Sequence, residues 1–242
     1  MSSTLRPLAH ALVSAVMGLV DLALPSSCAG CGADGATLCH ECSSDLAGPA
    51  APTWPDPCPA GLPPTWAVAA YAGPVRAIVV AHKEEGRLVL CPPLGAALAR
   101  STTAAWSATG DDARRPVLLV PAPSRSAAVR ARGNDPTLAM TRAAAAGLRR
   151  QGLDVTVVRA LRVRRGVHDQ AGLSATERST NLAGALHVSR SAGRLVVGRH
   201  VVVVDDVVTT GATLAEAARA LRAVGAEVRA AAVVAATRRT GR

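Results

Sequence analysis

Phenylalanine is absent from the 242 residues, and aromatic side chains make up only 2% of them. With 49% apolar residues a substantial core can still form, but it has to be aliphatic. The scarcity also bears on partners. Proteins that bind single-stranded nucleic acid commonly stack bases on aromatic rings. The four rings here, Trp54, Trp66, Tyr71 and Trp106, stand in no basic cluster. Lysine and isoleucine occur once each, as Lys83 and Ile78, against 26 arginines. Beside abundant Ala and Arg, that scarcity looks like GC-rich coding, so the choice of Arg over Lys carries no functional weight. The net charge of +10 does not depend on that choice. It points to an anionic partner: nucleic acid, a phosphorylated metabolite, or both.

A long apolar run is missing too. "LAHALVSAVMGLVDLAL" (residues 8–24) is short for a membrane span and contains His10 and Asp21. The preceding Arg6 gives it the look of a signal peptide, and "LPSSC" loosely resembles a lipoprotein cleavage site. No small-x-small site precedes Pro25, and lipoprotein processing would spoil the cysteine array that Cys28 opens. The expectation is an amphipathic helix over residues 1–25, docked on the body, in a protein that is not integral to a membrane.

Six cysteines do not make a disulfide framework when four fall within residues 28–42 as "CAGCGADGATLCHEC". Cys28, Cys31, Cys39 and Cys42 have the spacing CxxC-x7-CxxC, in which two knuckles bring four thiolates to one tetrahedral zinc. A closed four-sulfur site is structural, so zinc is expected to hold a module over residues 26–46 and to take no part in chemistry. His40 is a bystander inside the second pair, and Cys58 and Cys91 stand alone. Residues 47–65, "AGPAAPTWPDPCPAGLPPT", read as a linker or an ordered irregular loop.

From Trp66 onward, apolar runs alternate with helical patterns. "WAVAAYAG", "PVLLVPAP", "LDVTVVRAL", "HVVVVDD" and "EVRAAAVVAAT" read as strands. "PVRAIVVAHKEEG", "PPLGAALARSTTAAW", "DPTLAMTRAAAAGLRRQG" and "TLAEAARALRAVG" read as helices, the third capped by Asp135. Continuous apolar strands between helices predict an α/β fold, a parallel sheet covered on both faces, over residues 66–242. Ligands of such sheets sit at the carboxyl ends of the strands.

Residues 201–213, "VVVVDDVVTTGAT", end such a strand. Gly211 permits a tight turn, and the helix after it offers N–H groups and a positive dipole end to a phosphate. Thr209, Thr210 and Thr213 add hydroxyl donors around Gly211 and Ala212. Asp205 and Asp206 suit two vicinal hydroxyls rather than more phosphate. Phosphate beside a diol describes ribose 5-phosphate. A second loop, "VPAPSRSAAVRARG" (residues 120–133), carries Ser124, Arg125, Ser126, Arg130 and Arg132 for a further phosphate group.

This stretch resembles the phosphoribosyl pyrophosphate (PRPP) motif of the type I phosphoribosyltransferases. The resemblance implies that Asp205 and Asp206 hold the ribose hydroxyls and residues 209–213 the 5-phosphate. It also implies Mg²⁺ with PRPP, and displacement of pyrophosphate from C1. The whole chain resembles ComF-type competence proteins through the N-terminal helix, the four cysteines, "HKEEG" around Lys83, "VPAP", "RARGND", and the set Gln170, Leu173, Arg178 and Asn181. It departs from them at Asn134 and Leu186, where aromatic residues are usual. That resemblance implies a cytoplasmic role in natural transformation and handling of single-stranded DNA, with competence proteins as partners. The run "RALRVRR" (residues 159–165) reads equally as a DNA contact or as a solvated strand end.

Three functions follow as expectations. The chain is a phosphoribosyltransferase with an unidentified acceptor, a non-catalytic PRPP- or DNA-binding accessory protein, or a PRPP-sensing regulator. No acceptor-recognising hood is visible in the sequence, and no DNA-binding helix pair supports the third. Lys83 is expected in the site, its compact ammonium turned towards the phosphates. The alternative is a solvated ion pair with Glu84 or Glu85.

Overall fold

A computed structural model describes residues 27–111, 115–124, 135–164 and 184–237. The expected helix over residues 1–25 lies outside them. So do Arg125, Ser126, Arg130, Arg132, Asn134, Gln170, Leu173, Arg178 and Asn181.

The strands are β1 (Ala51–Thr53), β2 (Thr65–Ala70), β3 (Val117–Pro121), β4 (Val155–Val157), β5 (Leu161–Val163), β6 (Leu186–Val188), β7 (His200–Val208) and β8 (Glu227–Ala236). Six of them form one sheet in the order β1-β2-β8-β7-β3-β4. Every pairing in it is parallel except that of β1 with β2. β7 lies between β8 and β3, so its carboxyl end opens in the interior of the sheet edge where ligands bind. Val201, Val202, Val203 and Val204 are fully buried, as a strand covered on both faces requires.

The helices are α1 (His40–Asp45), α2 (Gly73–Lys83), α3 (Cys91–Ser107), α4 (Pro136–Arg150), α5 (Arg190–Val196) and α6 (Ala212–Arg222). α2, α3 and α4 supply Ile78, Leu94, Leu98, Met140 and Leu148 to one core face, with Val202 and Val204 from β7. α5 and α6 supply Val196, Leu214, Ala217 and Leu221 to the other, with Val201 and Val203. Cys28, Cys42 and Leu46 belong to the first of these clusters, so the cysteine segment shares its core with the sheet. The cap expected of Asp135 is present: its carboxylate accepts from the Leu138 N–H at 3.1 Å.

One expected strand is two. "LDVTVVRAL" breaks after Val157, the last residue that pairs with β3. The chain turns through Val158–Ala160, where the Ala160 N–H donates to the Val158 carbonyl at 2.9 Å. Leu161–Val163 then pairs antiparallel with Leu186–Val188 in a separate two-stranded sheet. Val158, Ala160 and Leu161 are all buried, so the apolar run continues through a turn that hydropathy cannot reveal. Within the Pro-rich stretch, Ala51–Thr53 is a strand on the sheet edge, which fits the ordered of the two readings of that stretch.

Candidate functional site

Asp205 and Asp206 stand near the carboxyl end of β7. Each carboxylate accepts the N–H of the next residue: Asp206 N–H donates to Asp205 Oδ1 at 2.9 Å, and Val207 N–H to Asp206 Oδ1 at 2.8 Å. These bonds fix both carboxyl groups and leave further oxygens available. Asp206 is buried, at 5% exposure. Lys83, the last residue of α2, places its ammonium nitrogen 2.7 Å from Asp206 Oδ2. The ammonium turns to the acidic pair itself, and the Glu84 charge acts on it as a lesser influence.

Burial holds the Asp205 carboxyl well above the ordinary carboxylate range, and the charge of Asp206 adds to that effect. The Lys83 ammonium opposes it without overturning it. Lys83 has the reverse balance. Desolvation disfavours its charge, yet Asp206 and then Asp205 keep its affinity for the proton above that of a free lysine. Three titratable groups thus share one small volume, with a net charge lower than two carboxylates would carry alone.

The loop of residues 209–213 follows directly. Gly211 has φ +74° and immediately precedes α6, whose first hydrogen bond runs from Ala215 N–H to the Gly211 carbonyl at 2.9 Å. The Ala212 N–H approaches Thr210 Oγ1 at 3.4 Å. Thr237, just past β8, ties down the start of the loop. It donates its N–H to the Val208 carbonyl at 3.1 Å and its hydroxyl to the Thr209 carbonyl at 3.3 Å. Thr209 is exposed, and Thr210 and Thr213 are half-buried. The loop therefore exposes Thr209 and, in part, Thr210 and Thr213 beside the acidic pair at the start of a helix, an arrangement that suits an anion.

Residues 98–242 match the family model for the phosphoribosyl transferase domain. The chain belongs to that family. The phosphoribosyl transferase domain thereby includes β7, the acidic pair and the loop, whereas Lys83, β1, β2 and the cysteines precede the matched residues. The chain is also 65% identical over 37 residues to an adenine phosphoribosyltransferase of Mycobacterium avium, and equally so to one of Mycolicibacterium paratuberculosis. That stretch is 15% of this chain, and the chain spans about a fifth (21%) of the length of those relatives.

Ser124 follows β3, the neighbour of β7 in the phosphoribosyl transferase domain, but its hydroxyl is engaged. It donates to Asp135 Oδ1 at 3.1 Å and lies 3.2 Å from Thr137 Oγ1. It ties the end of β3 to the start of α4. Arg125 and Arg132 lie outside the described residues. The structure thus brings together Lys83, Asp205, Asp206 and residues 209–213, with Ser124 at the adjacent strand end.

The four clustered cysteines form a second site. Their sulfur atoms all lie within 4.8 Å of one another and could hold a metal ion. The N–H groups of Cys39 and Gly30 point at Cys28 Sγ, 3.3 and 3.4 Å away. Burial pushes the Cys28 thiol up, but these N–H groups and that of Cys31 reverse the shift and bring it to about 6. Cys42, buried among the other sulfurs, is raised instead. A thiolate held by backbone N–H groups beside three further sulfurs is the donor set of a tetrahedral zinc.

Sequence reading missed one contact of the loop. Pro55, Pro59 and Leu62 reach the loop at Gly211. They are distant in sequence and lie in a stretch whose composition suggests a linker or an ordered irregular loop, with no contact to the site.

Proposed function

We propose that this chain binds PRPP at residues 205–213 and transfers its phosphoribosyl group to an acceptor. The observation that carries this reading is the adjacent Asp205 and Asp206 at a central strand end, followed by a hydroxyl-rich turn that opens a helix. The carboxylates accept hydrogen bonds from the two ribose hydroxyls. The hydroxyls of Thr209, Thr210 and Thr213 and the N–H groups at the start of α6 receive the 5-phosphate. Arg125 and Arg132 take the pyrophosphate. As the bond from C1 to pyrophosphate breaks, its electron pair leaves with the pyrophosphate oxygen and positive charge grows on the sugar. Negative charge fixed nearby stabilises that state more than the ground state. The acceptor then forms the new bond to C1. Lys83 holds Asp206 in place while the site is empty. Mg²⁺ accompanies PRPP and neutralises its pyrophosphate, and zinc on Cys28, Cys31, Cys39 and Cys42 is structural.

A second reading concerns nucleic acid. A groove of about 390 Å³ between α5 and the β4 edge is lined by Arg159, Arg162 and Arg199, with Thr156, Ser189 and Ser191. Its charge supports contact with a polyanion, and a cytoplasmic role in transformation with single-stranded DNA and competence proteins belongs to this reading. Arg159 also faces Asp135 at 3.6 Å, and Arg162 donates to the Arg159 and Leu161 carbonyls, so part of that charge is already engaged. Among the described residues no helix is long and apolar enough to cross a membrane.

Titration calorimetry with PRPP and Mg²⁺ tests the first reading. Asp205→Asn with Asp206→Asn should weaken binding by about 1.5–3 kcal/mol for each lost charged hydrogen bond. Equal affinity in wild type and double variant removes the pocket from these residues. Release of pyrophosphate in the presence of candidate acceptors then tests transfer. A parallel titration with an oligonucleotide separates the second reading, since groove binding weakens steeply with salt and ignores the double variant.

A further inference from the structure

The segment from Trp54 to Leu62 precedes the matched phosphoribosyl transferase residues, yet it lies on their loop. A methyl group built on Gly211 would stand 3.0 Å from Pro55 Cγ, 3.2 Å from Leu62 Cδ2 and 3.2 Å from Pro59 Cγ. Three apolar side chains from one segment therefore press on a single backbone position of the loop. Burial says the same from the other side. Between residues 54 and 62, six residues are exposed, Pro55 is buried, and Pro59 and Leu62 are half-buried. Leu62 packs as well against the core cluster that holds Val208 and Leu214, on either side of the loop.

The segment is anchored independently of the loop. Arg222, at the end of α6, donates to the Gly61 carbonyl at 2.8 Å. The Ala231 N–H donates to the Pro64 carbonyl at 2.8 Å, and β1 and β2, which flank the segment, pair with each other. Its prolines fix their own φ and lose little entropy on ordering, which suits a stiff support. Among the described residues the loop, by contrast, has few hydrogen bonds: one long contact from Ala212 N–H to Thr210 Oγ1, the two that Thr237 supplies, and the Ala215 N–H to the Gly211 carbonyl at 2.9 Å.

We propose that segment 55–62 is a clamp that positions the phosphate loop, holding the turn at Gly211 in its anion-receptive shape by apolar contact from outside. Glycine at 211 then answers two demands, a positive φ and room for the clamp. The inference rests on the PRPP reading given above. It assigns Pro55, Pro59 and Leu62 as positioning residues, not as ligands of the substrate. An anion site built from backbone N–H groups depends on their convergence, and small displacements there weaken binding strongly.

The test is a double-mutant cycle read by calorimetry with PRPP and Mg²⁺ on the full chain. Its four corners are wild type, Gly211→Ala, the clamp variant Pro55→Ala/Pro59→Ala/Leu62→Ala, and the two combined. The clamp variant should bind PRPP roughly ten- to hundredfold more weakly. Gly211→Ala should cost clearly less in the clamp background than in wild type, because the added methyl no longer meets the prolines and Leu62. A segment that merely stabilises the fold gives additive effects, and additivity overturns the proposal. Should the triple variant not fold, the same cycle run with Leu62→Ala alone decides by the same criterion. Absence of PRPP binding by wild type overturns the underlying reading, and the clamp with it. Wild-type binding with an additive cycle overturns the clamp only.

Discussion

At Asp205 the physical chemistry of binding opposes that of folding. Its proton affinity is raised above the ordinary value of 3.8, first by burial and then by Asp206. A carboxyl whose folded pKa exceeds its unfolded pKa contributes full stability below the unfolded value and loses it as pH rises through the folded one. The empty site therefore disfavours the Asp205 charge, a burden that hydrogen bonds from a ribose diol would relieve. Asp205→Asn should therefore stabilise the protein without ligand while it weakens PRPP binding. The gain should be on the order of 1 kcal/mol at pH 8, roughly 2–4 °C in Tm, and should shrink towards pH 4. Lys83→Ala should act in the opposite direction, since it strips the ammonium 2.7 Å from Asp206 and leaves two neighbouring carboxylates without a counter-charge. Thermal melts of both variants from pH 4 to pH 8 test the pair. A lowered Tm for Asp205→Asn at pH 8 would show that the carboxylate supports the fold instead of burdening it.

Among the elements, α6 and β6 are joined by one buried charge. Glu216 is 5% exposed. It accepts from Arg219 Nε at 2.6 Å and NH2 at 2.8 Å, and from the Leu186 N–H at 3.0 Å. Arg219 also donates to the Leu186 carbonyl at 3.2 Å. Burial pushes the carboxyl up, but Arg219 and the N–H groups of Leu186 and Gly184 leave it below the ordinary value of 4.5. The sign is opposite to that of Asp205: the stability is present above that ordinary value and is lost as pH falls through the lower folded one. Glu216→Gln should cost about 1–3 kcal/mol at neutral pH. The gap to wild type should close in acid, and urea melts at pH 7 and pH 3.5 measure it. A gap that persists unchanged at pH 3.5 would assign the loss to packing. None of this network was legible in the sequence, where Glu216 sits in an ordinary amphipathic helix pattern. The long strands were legible because burial on both faces leaves unbroken apolar runs, and α4 because Asp135 and Pro136 mark its start. β5, β6 and α5 were not, because elements this short are defined by partners far along the chain. The acidic pair and its loop were readable because their residues are contiguous, whereas the clamp exists only after folding brings residue 55 to residue 211.

On the scale of the molecule, the residues ahead of the matched domain are built into its core and its site. β2 pairs with β8, α2 ends in Lys83, and the cysteine segment packs against the start of α2. At Gly30 a methyl group would fall 2.6 Å from Cys42 Sγ and 3.2 Å from Pro74 Cβ, so the first knuckle has room for glycine alone. Pro74 lies in the first turn of α2, and Lys83 is that helix's last residue. Zinc on the four sulfurs would therefore brace one end of a helix whose other end neutralises Asp206. Arg87, beyond that end, donates to the Ser27 carbonyl at 3.1 Å and closes the chain of contacts back to Cys28. Metal analysis of the purified protein should find about one zinc per chain. Cys28→Ser with Cys42→Ser should abolish it, since both sulfurs are buried members of the cluster and of the core. The Tm should fall, as it does when a bound ligand that stabilises the native state is withdrawn. Affinity for PRPP should fall with it, although no cysteine touches the acidic pair. Restoring zinc to protein stripped by a chelator should recover both. Unchanged metal content in the double variant would refute the zinc assignment. Loss of zinc with full PRPP affinity would instead confine the metal to its own segment and break the link through α2.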